Sequence, residues 1–360
     1  RAGARSAAPR PRPRRAMARR GVIVSCCYPG SDLALLGPEQ DALAYEDVLG
    51  QLGFEHLVML SDRRLGKESS HKSNVVREIQ RLVSSAAPGD SLVFVFVGHG
   101  ICVASARGER RDDLDRALVL AEVQTPFPQN LLFEHELQAL FARVPPRATL
   151  TCILDSPCGD TVVKLPEYFD GKYGSFFRGA QRAAALRNAT PWPGRACGYG
   201  PAFAVRGQKA TGAALAVHGR AAASQGGASG AGELAPGAAV VLLSACRPGQ
   251  ACFEVPAADG RVGGVFSQCV VELLAEHLAQ GTLPTYVQLA KSVEERVQRR
   301  FHERGLAERG LAQNLLLGFS NRAHAEAGLF LEPAAPGAAR PQQGRGAPDA
   351  AAPAGRPERG

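Results

Sequence analysis

The run from Ser91 to Val97 restricts the possible folds more than any other stretch of the chain. Leu92, Val93, Phe94, Val95, Phe96 and Val97 are all apolar, and most are β-branched or aromatic. A half-exposed strand would alternate with polar residues, and an amphipathic helix would repeat every three to four. This run does neither, which predicts a strand covered on both faces inside a mostly parallel sheet. Pro88-Gly89 precedes it and Gly98-His99-Gly100 ends it, both as turn signals.

The flanking pattern agrees. Val22–Cys27 reads as a buried strand, and Pro38-Glu39 then opens a helix with Ala42, Tyr45, Leu49 and Leu52 on one face. A strand at 56–60 follows, then a helix striped by Val75, Val76, Ile79, Leu82 and Val83. Residues 101–116 are polar and read as a loop. A short strand is expected at 117–121, a helix at 131–141 and a strand over Leu150–Leu154. Strands separated by helices imply right-handed crossovers and an α/β, doubly wound, mostly parallel sheet flanked by helices.

Outside this core the composition changes. Residues 1–20 hold eight Arg, no acid and Arg-Pro alternation, and are expected to be a disordered leader. Met17 is the expected start of translation. The Arg-rich, acid-free leader also fits organelle targeting, although its prolines oppose an amphipathic helix. Without the leader the chain is balanced, with 34 basic and 34 acidic residues. The net charge of +8 therefore marks no nucleic-acid groove in the fold. Residues 167–236, rich in Ala and Gly, read as an insertion or linker. Order returns over 237–332, with a strand at 239–244 and two helices, and 333–360 reads as a disordered tail. The nine Cys lack CxxC spacing, which predicts reduced thiols rather than a disulfide framework or a zinc site. No apolar run approaches the ~18 residues of a membrane span. A cytoplasmic location with no membrane partner is the expectation.

Two of the strands end in chemically loaded turns. His99 stands between two glycines, while Asp155, Ser156, Pro157 and Cys158 follow Leu154. The carboxyl edge of an open α/β sheet is where ligands gather. A thiol beside an imidazole there can form a nucleophilic thiolate–imidazolium pair. A nucleotide site is excluded by Tyr28-Pro29-Gly30-Ser31-Asp32 after the first strand, which is neither GxGxxG nor a P-loop.

The order of these pieces resembles the metacaspases, a family of caspase-like cysteine peptidases. Pro88-Gly89-Asp90-Ser91-Leu92 leads into Gly98-His99-Gly100. With it go Gly37-Pro38-Glu39-Gln40-Asp41-Ala42, Asp155-Ser156 with Leu165-Pro166, and Ser244-Ala245-Cys246-Arg247 with Gln250 and Glu254. The resemblance runs over 21–330 apart from the insertion. It implies a caspase-like sheet, with a large-subunit region at 21–166 and a small-subunit region at 237–332. It also implies His99 as general base, and Asp41 with Asp155 as an acidic pocket for Arg or Lys of protein or peptide substrates.

Departures from the family pattern are specific. The family reads Asp-Ser-Cys-His-Ser-Gly where this chain reads Asp155-Ser156-Pro157-Cys158-Gly159-Asp160. Pro157 thus holds the nucleophile position. Cys158 comes one residue late, ~3.8 Å further along the chain and on the opposite face of an extended segment. Misplacement of ~1 Å can cost about 100-fold in rate. Val97 replaces the usual Ser of the pocket. The family's calcium ligands map to Asp112, Asp113 and Asp115, to the start Glu134-His135-Glu136-Leu137, and to Lys164, whose ammonium would repel the ion. No cofactor or metal is therefore expected. Two readings follow: a catalytically impaired relative that binds basic peptides or pairs with active relatives, or an active endopeptidase using Cys158 and His99.

Overall fold

The computed structural model describes residues 17–31, 33–104, 114–121, 123–124, 127–128, 131–157, 163, 165–178, 200–201, 234, 238–247, 250–257 and 259–330. In chain order its first elements are β1 (Arg19–Ser25), α1 (Pro38–Gln51), β2 (His56–Ser61), α2 (Lys72–Ser84) and β3 (Ser91–Val97). Next come β4 (Gly100–Ala104), β5 (Leu114–Val119), β6 (Val123–Gln124), β7 (Phe127–Pro128), β8 (Leu131–Phe133), α3 (Glu134–Phe141) and β9 (Thr149–Asp155). The remainder are β10 (Glu167–Asp170), β11 (Ser175–Arg178), β12 (Gly200–Pro201), β13 (Ala239–Ser244), β14 (Phe253–Pro256), β15 (Val262–Gly264), α4 (Val265–Ala279), α5 (Tyr286–Glu303) and β16 (Leu316–Phe319).

Among the described residues the main sheet has eight strands in the order β11-β10-β16-β13-β9-β3-β1-β2. The five from β13 to β2 pair in parallel, while β16, β10 and β11 add antiparallel pairs at one side. Helix α1 packs with α4, and α4 with α5; α2 packs with α3. Helices thus form two separate layers around the sheet. Every residue of β3, β9 and β13 is buried, as the uninterrupted apolar runs require. The helix stripes behave likewise: Val75, Ile79, Leu82 and Val83 of α2 are buried, and Phe94 of β3 meets Phe141 of α3 edge-on at 5.9 Å between centroids. Truncating such a buried Phe to Ala costs about 3–5 kcal/mol.

Three local expectations fail for one reason, pairing that periodicity does not encode. The predicted helix at 131–141 begins only at Glu134, because Leu131–Phe133 pairs antiparallel with Ala117–Val119. The polar stretch after His99 is not all loop, since Gly100–Ala104 and Leu114–Val119 form a hairpin. The first twelve residues of the expected insertion build β10 and β11, and β10 is hydrogen-bonded to β16 from the end of the fold. No helix among the described residues is long and apolar enough to cross a membrane.

Candidate active site

Parallel pairing of β3 with β9 places Val97 opposite Asp155, and the Gly98 N–H donates to the Asp155 carbonyl at 3.2 Å. Both strands end at the same level, so the His99 turn and the Asp155–Pro157 turn leave the sheet side by side. Contact between them is backbone to backbone. A Cβ on Gly100 would overlap the Pro157 carbonyl and lie 2.6 Å from Ser156 Oγ. Only glycine fits there.

His99 is buried, with 3% of its surface exposed. Its Nε2–H donates to the Leu33 carbonyl at 2.8 Å, which assigns the proton to Nε2 and the lone pair to Nδ1. Tyr28 completes the cradle. Its ring lies 4.9 Å from the imidazole, and its hydroxyl accepts from the His99 N–H at 2.8 Å and donates to the Val119 carbonyl at 2.7 Å. Tyr28 adopts φ +51, a left-handed conformation, and Asp62 holds it there by accepting the N–H groups of Cys27 and Tyr28. Burial pushes His99 down to about 4, against the smaller upward pull of the Leu33 carbonyl, so the imidazole is neutral at pH 7. Sequence reasoning missed Tyr28 and Leu33. The only signal was Tyr28-Pro29-Gly30, a turn after the first strand.

Asp41 and Asp155 do come together, at the amino end of α4. Asp41 Oδ2 accepts the Gly264 N–H at 2.8 Å. Asp155 Oδ2 accepts Ser267 Oγ–H at 2.6 Å and the Ser267 N–H at 3.2 Å. A helix amino terminus favours such carboxylates. Burial first, and then the charge of Asp155, hold Asp41 well above the ordinary carboxylate range. Glu254 joins the cluster by accepting the N–H groups of Gly37 at 2.8 Å and Leu36 at 3.3 Å. Each acid therefore serves a backbone contact as well as any pocket.

Pro157 is buried, and Ser156 Oγ donates to its carbonyl at 3.0 Å. Cys158, Asp112, Asp113 and Lys164 lie outside the described residues, as does the side chain of Asp115. Glu136 meets Lys72 at 2.8 Å and Glu134 meets Arg116 at 3.9 Å. No cluster of three His, Cys, Asp or Glu able to hold a metal occurs among the described residues. Cys246 is buried, with its Sγ 3.5 Å from that of Cys252.

A family profile described as the metacaspase, peptidase C14 domain matches residues 19–166. Metacaspase-1 of Yarrowia lipolytica is 28% identical over 158 residues, covering 43% of this chain and 34% of that protein. Metacaspase-4 of Arabidopsis thaliana is 30% identical over 144 residues, covering 39% of this chain and 33% of that protein. The match thus spans about a third of each relative. Among solved structures, Caspase-1 from Spodoptera frugiperda aligns with a TM-score of 0.40 at 13% identity, over 78% of this chain and 76% of that one.

Proposed function

From the premise that residues 19–166 carry a metacaspase peptidase C14 domain, we propose a caspase-fold protein of the Arg/Lys-directed cysteine endopeptidase family whose hydrolytic step is impaired. Its remaining role is to bind basic peptides or to pair with active relatives. The observation that carries this reading is Pro157. It follows Asp155-Ser156 where the family places its thiol, and its carbonyl is seated against Gly100, next to His99. A proline side chain has no proton to give and no lone pair with which to attack a carbonyl.

The rest of the arrangement supports descent from a working site. In the family's chemistry a thiol at this turn passes its proton to the imidazole, and the thiolate attacks the scissile carbonyl. His99 has the neutral imidazole and the defined tautomer that a base needs. Asp41 and Asp155 offer carboxylates to an Arg or Lys side chain. A guanidinium reaching them makes charge-assisted hydrogen bonds and relieves repulsion within the acid cluster. The proposal includes independence from calcium and from nucleic acid. It also includes action in the cytoplasm, supported by six described cysteines that are all free thiols.

The readiness of His99 favours a second reading, an active endopeptidase that uses Cys158. One experiment separates the two. The purified chain is given a fluorogenic peptide ending in Arg, with and without calcium, alongside Pro157→Cys and Cys158→Ala. Cleavage that appears only with Pro157→Cys supports the impaired reading. Cleavage by the parent chain that Cys158→Ala abolishes overturns it in favour of the second.

A further inference from the structure

The Leu33 carbonyl orients His99, but Leu33 lies on a connection between β1 and α1 that has no strand or helix of its own. Something must hold that carbonyl in place. At one end Asp62 fixes the N–H groups of Cys27 and Tyr28, and the Leu35 N–H donates to the Cys27 carbonyl at 2.8 Å. At the other end the contact comes from the far side of the chain. Glu254 in β14 accepts the N–H groups of Leu36 and Gly37, 218 and 217 residues away in sequence.

Glu254 is 5% exposed, and a Cβ on Gly37 would lie 2.9 Å from Glu254 Oε1 and 2.7 Å from Gly263 Cα. The approach is therefore built for close contact. The buried Gly37 N–H and the part-buried Leu36 N–H both donate to this one side chain, and a buried donor without an acceptor is costly.

We infer that Glu254 is a positioning residue for His99, acting through the Leu33 carbonyl and coupling the carboxyl-terminal region to the candidate base. The inference rests on the proposed reading of His99. Without Glu254 the segment from Leu33 to Gly37 loses its carboxylate clamp and relaxes toward other acceptors. The Leu33 carbonyl then moves off Nε2, and the imidazole loses the partner that selects its tautomer. In the intact protein β14 thus adds a distant hold on this segment to the local one from Ser31, whose hydroxyl accepts the Leu33 N–H at 3.2 Å. This gives a physical reason for two regions far apart in sequence to act as one site.

The test follows the imidazole directly, in the full chain labelled with nitrogen-15 histidine. His99 is assigned by the signal lost in His99→Gln. In the parent chain it is expected as a single Nε2–H tautomer, neutral to well below pH 6. Glu254→Ala is expected to give both tautomers, to lower the titration midpoint below the parent's because the upward pull of the Leu33 carbonyl is lost, and to remove exchange protection from the Leu36 and Gly37 amides. Glu254→Gln, which keeps one acceptor oxygen, is expected to fall between. The control is Glu294→Ala, which removes a second buried carboxylate that accepts from the Asn314 side chain and the Leu315 N–H. It should lower stability and leave the His99 spectrum unchanged.

An unchanged His99 tautomer and midpoint in Glu254→Ala overturns the inference, as does an equal change in Glu294→Ala. If Glu254→Ala does not fold, an unchanged imidazole in Glu254→Gln overturns it. No cleavage assay enters this readout. Lack of peptidase activity in Pro157→Cys counts against the proposed function alone, and a His99 spectrum indifferent to Glu254 counts against this inference alone.

Discussion

Gly100 and Pro157 touch through their backbones, so the turn carrying His99 and the turn that follows Asp155 are closed against each other. Neither turn can shift without the other. Alanine at position 100 would put its methyl group into the Pro157 carbonyl, and overpacking of this kind costs about 1–3 kcal/mol. Gly100→Ala is expected to lower the urea midpoint accordingly. A midpoint equal to the parent's would show that the two turns are free to separate.

Tyr28→Phe keeps the ring beside His99 and removes only the hydroxyl. The His99 N–H and the Val119 carbonyl then lose a partner in a buried place, at about 1–3 kcal/mol for each unsatisfied group. Chemical denaturation is expected to record a loss of about 2–6 kcal/mol for the two groups together. Hydrogen exchange at the His99 amide should speed up more than exchange at the centre of β3.

Acid should weaken the fold through His99. In the folded chain the imidazole stays neutral down to about 4, whereas in the unfolded chain it takes a proton near 6.5. Between those values the unfolded state binds more protons, so stability falls as pH falls, by about 3 kcal/mol across the window. The difference in unfolding free energy between the parent and His99→Gln is expected to be constant above pH ~6.5 and to shrink below it. A constant difference through the whole range would contradict the burial argument.

Asp41 should act in the opposite direction. Its folded carboxyl is held above the unfolded value by burial, with Asp155 and Glu254 adding repulsion, so the folded chain keeps this proton longer. The resulting stability is present in acid and is lost as pH rises from the ordinary carboxylate range through the raised folded value. Asp41→Asn keeps an oxygen for the Gly264 N–H and carries no charge. The variant is expected to be at least as stable as the parent at pH 8, with a flatter profile between pH 4 and 8. A variant far less stable at pH 8 would mean that the charge itself holds α4.

Much of the sheet was legible from one-dimensional pattern. The runs 91–97, 150–154 and 239–244 are strands, and 22–27 is one as far as Ser25, because a strand buried on both faces needs a largely apolar sequence, and few other structures do. Placing His99 and Asp155 at one edge follows from the same pattern, since parallel strands joined by crossovers end on the same side. Pro157 was legible only as a departure from the pattern that the sequence resembles.

What only the tertiary structure decided is how those residues are held. Leu33 and Tyr28 orient His99, Ser267 and Gly264 bind the two aspartates, and Glu254 clamps Leu36 and Gly37. Each is a contact between a side chain and a distant group, most often the backbone, as with Asp41 and Gly264, 223 residues apart. Residue type and periodicity report which surfaces must leave water. They carry no information about which buried N–H a given carboxylate will meet. That is set by the register of strands and the docking of helices, and these exist only once the chain has folded.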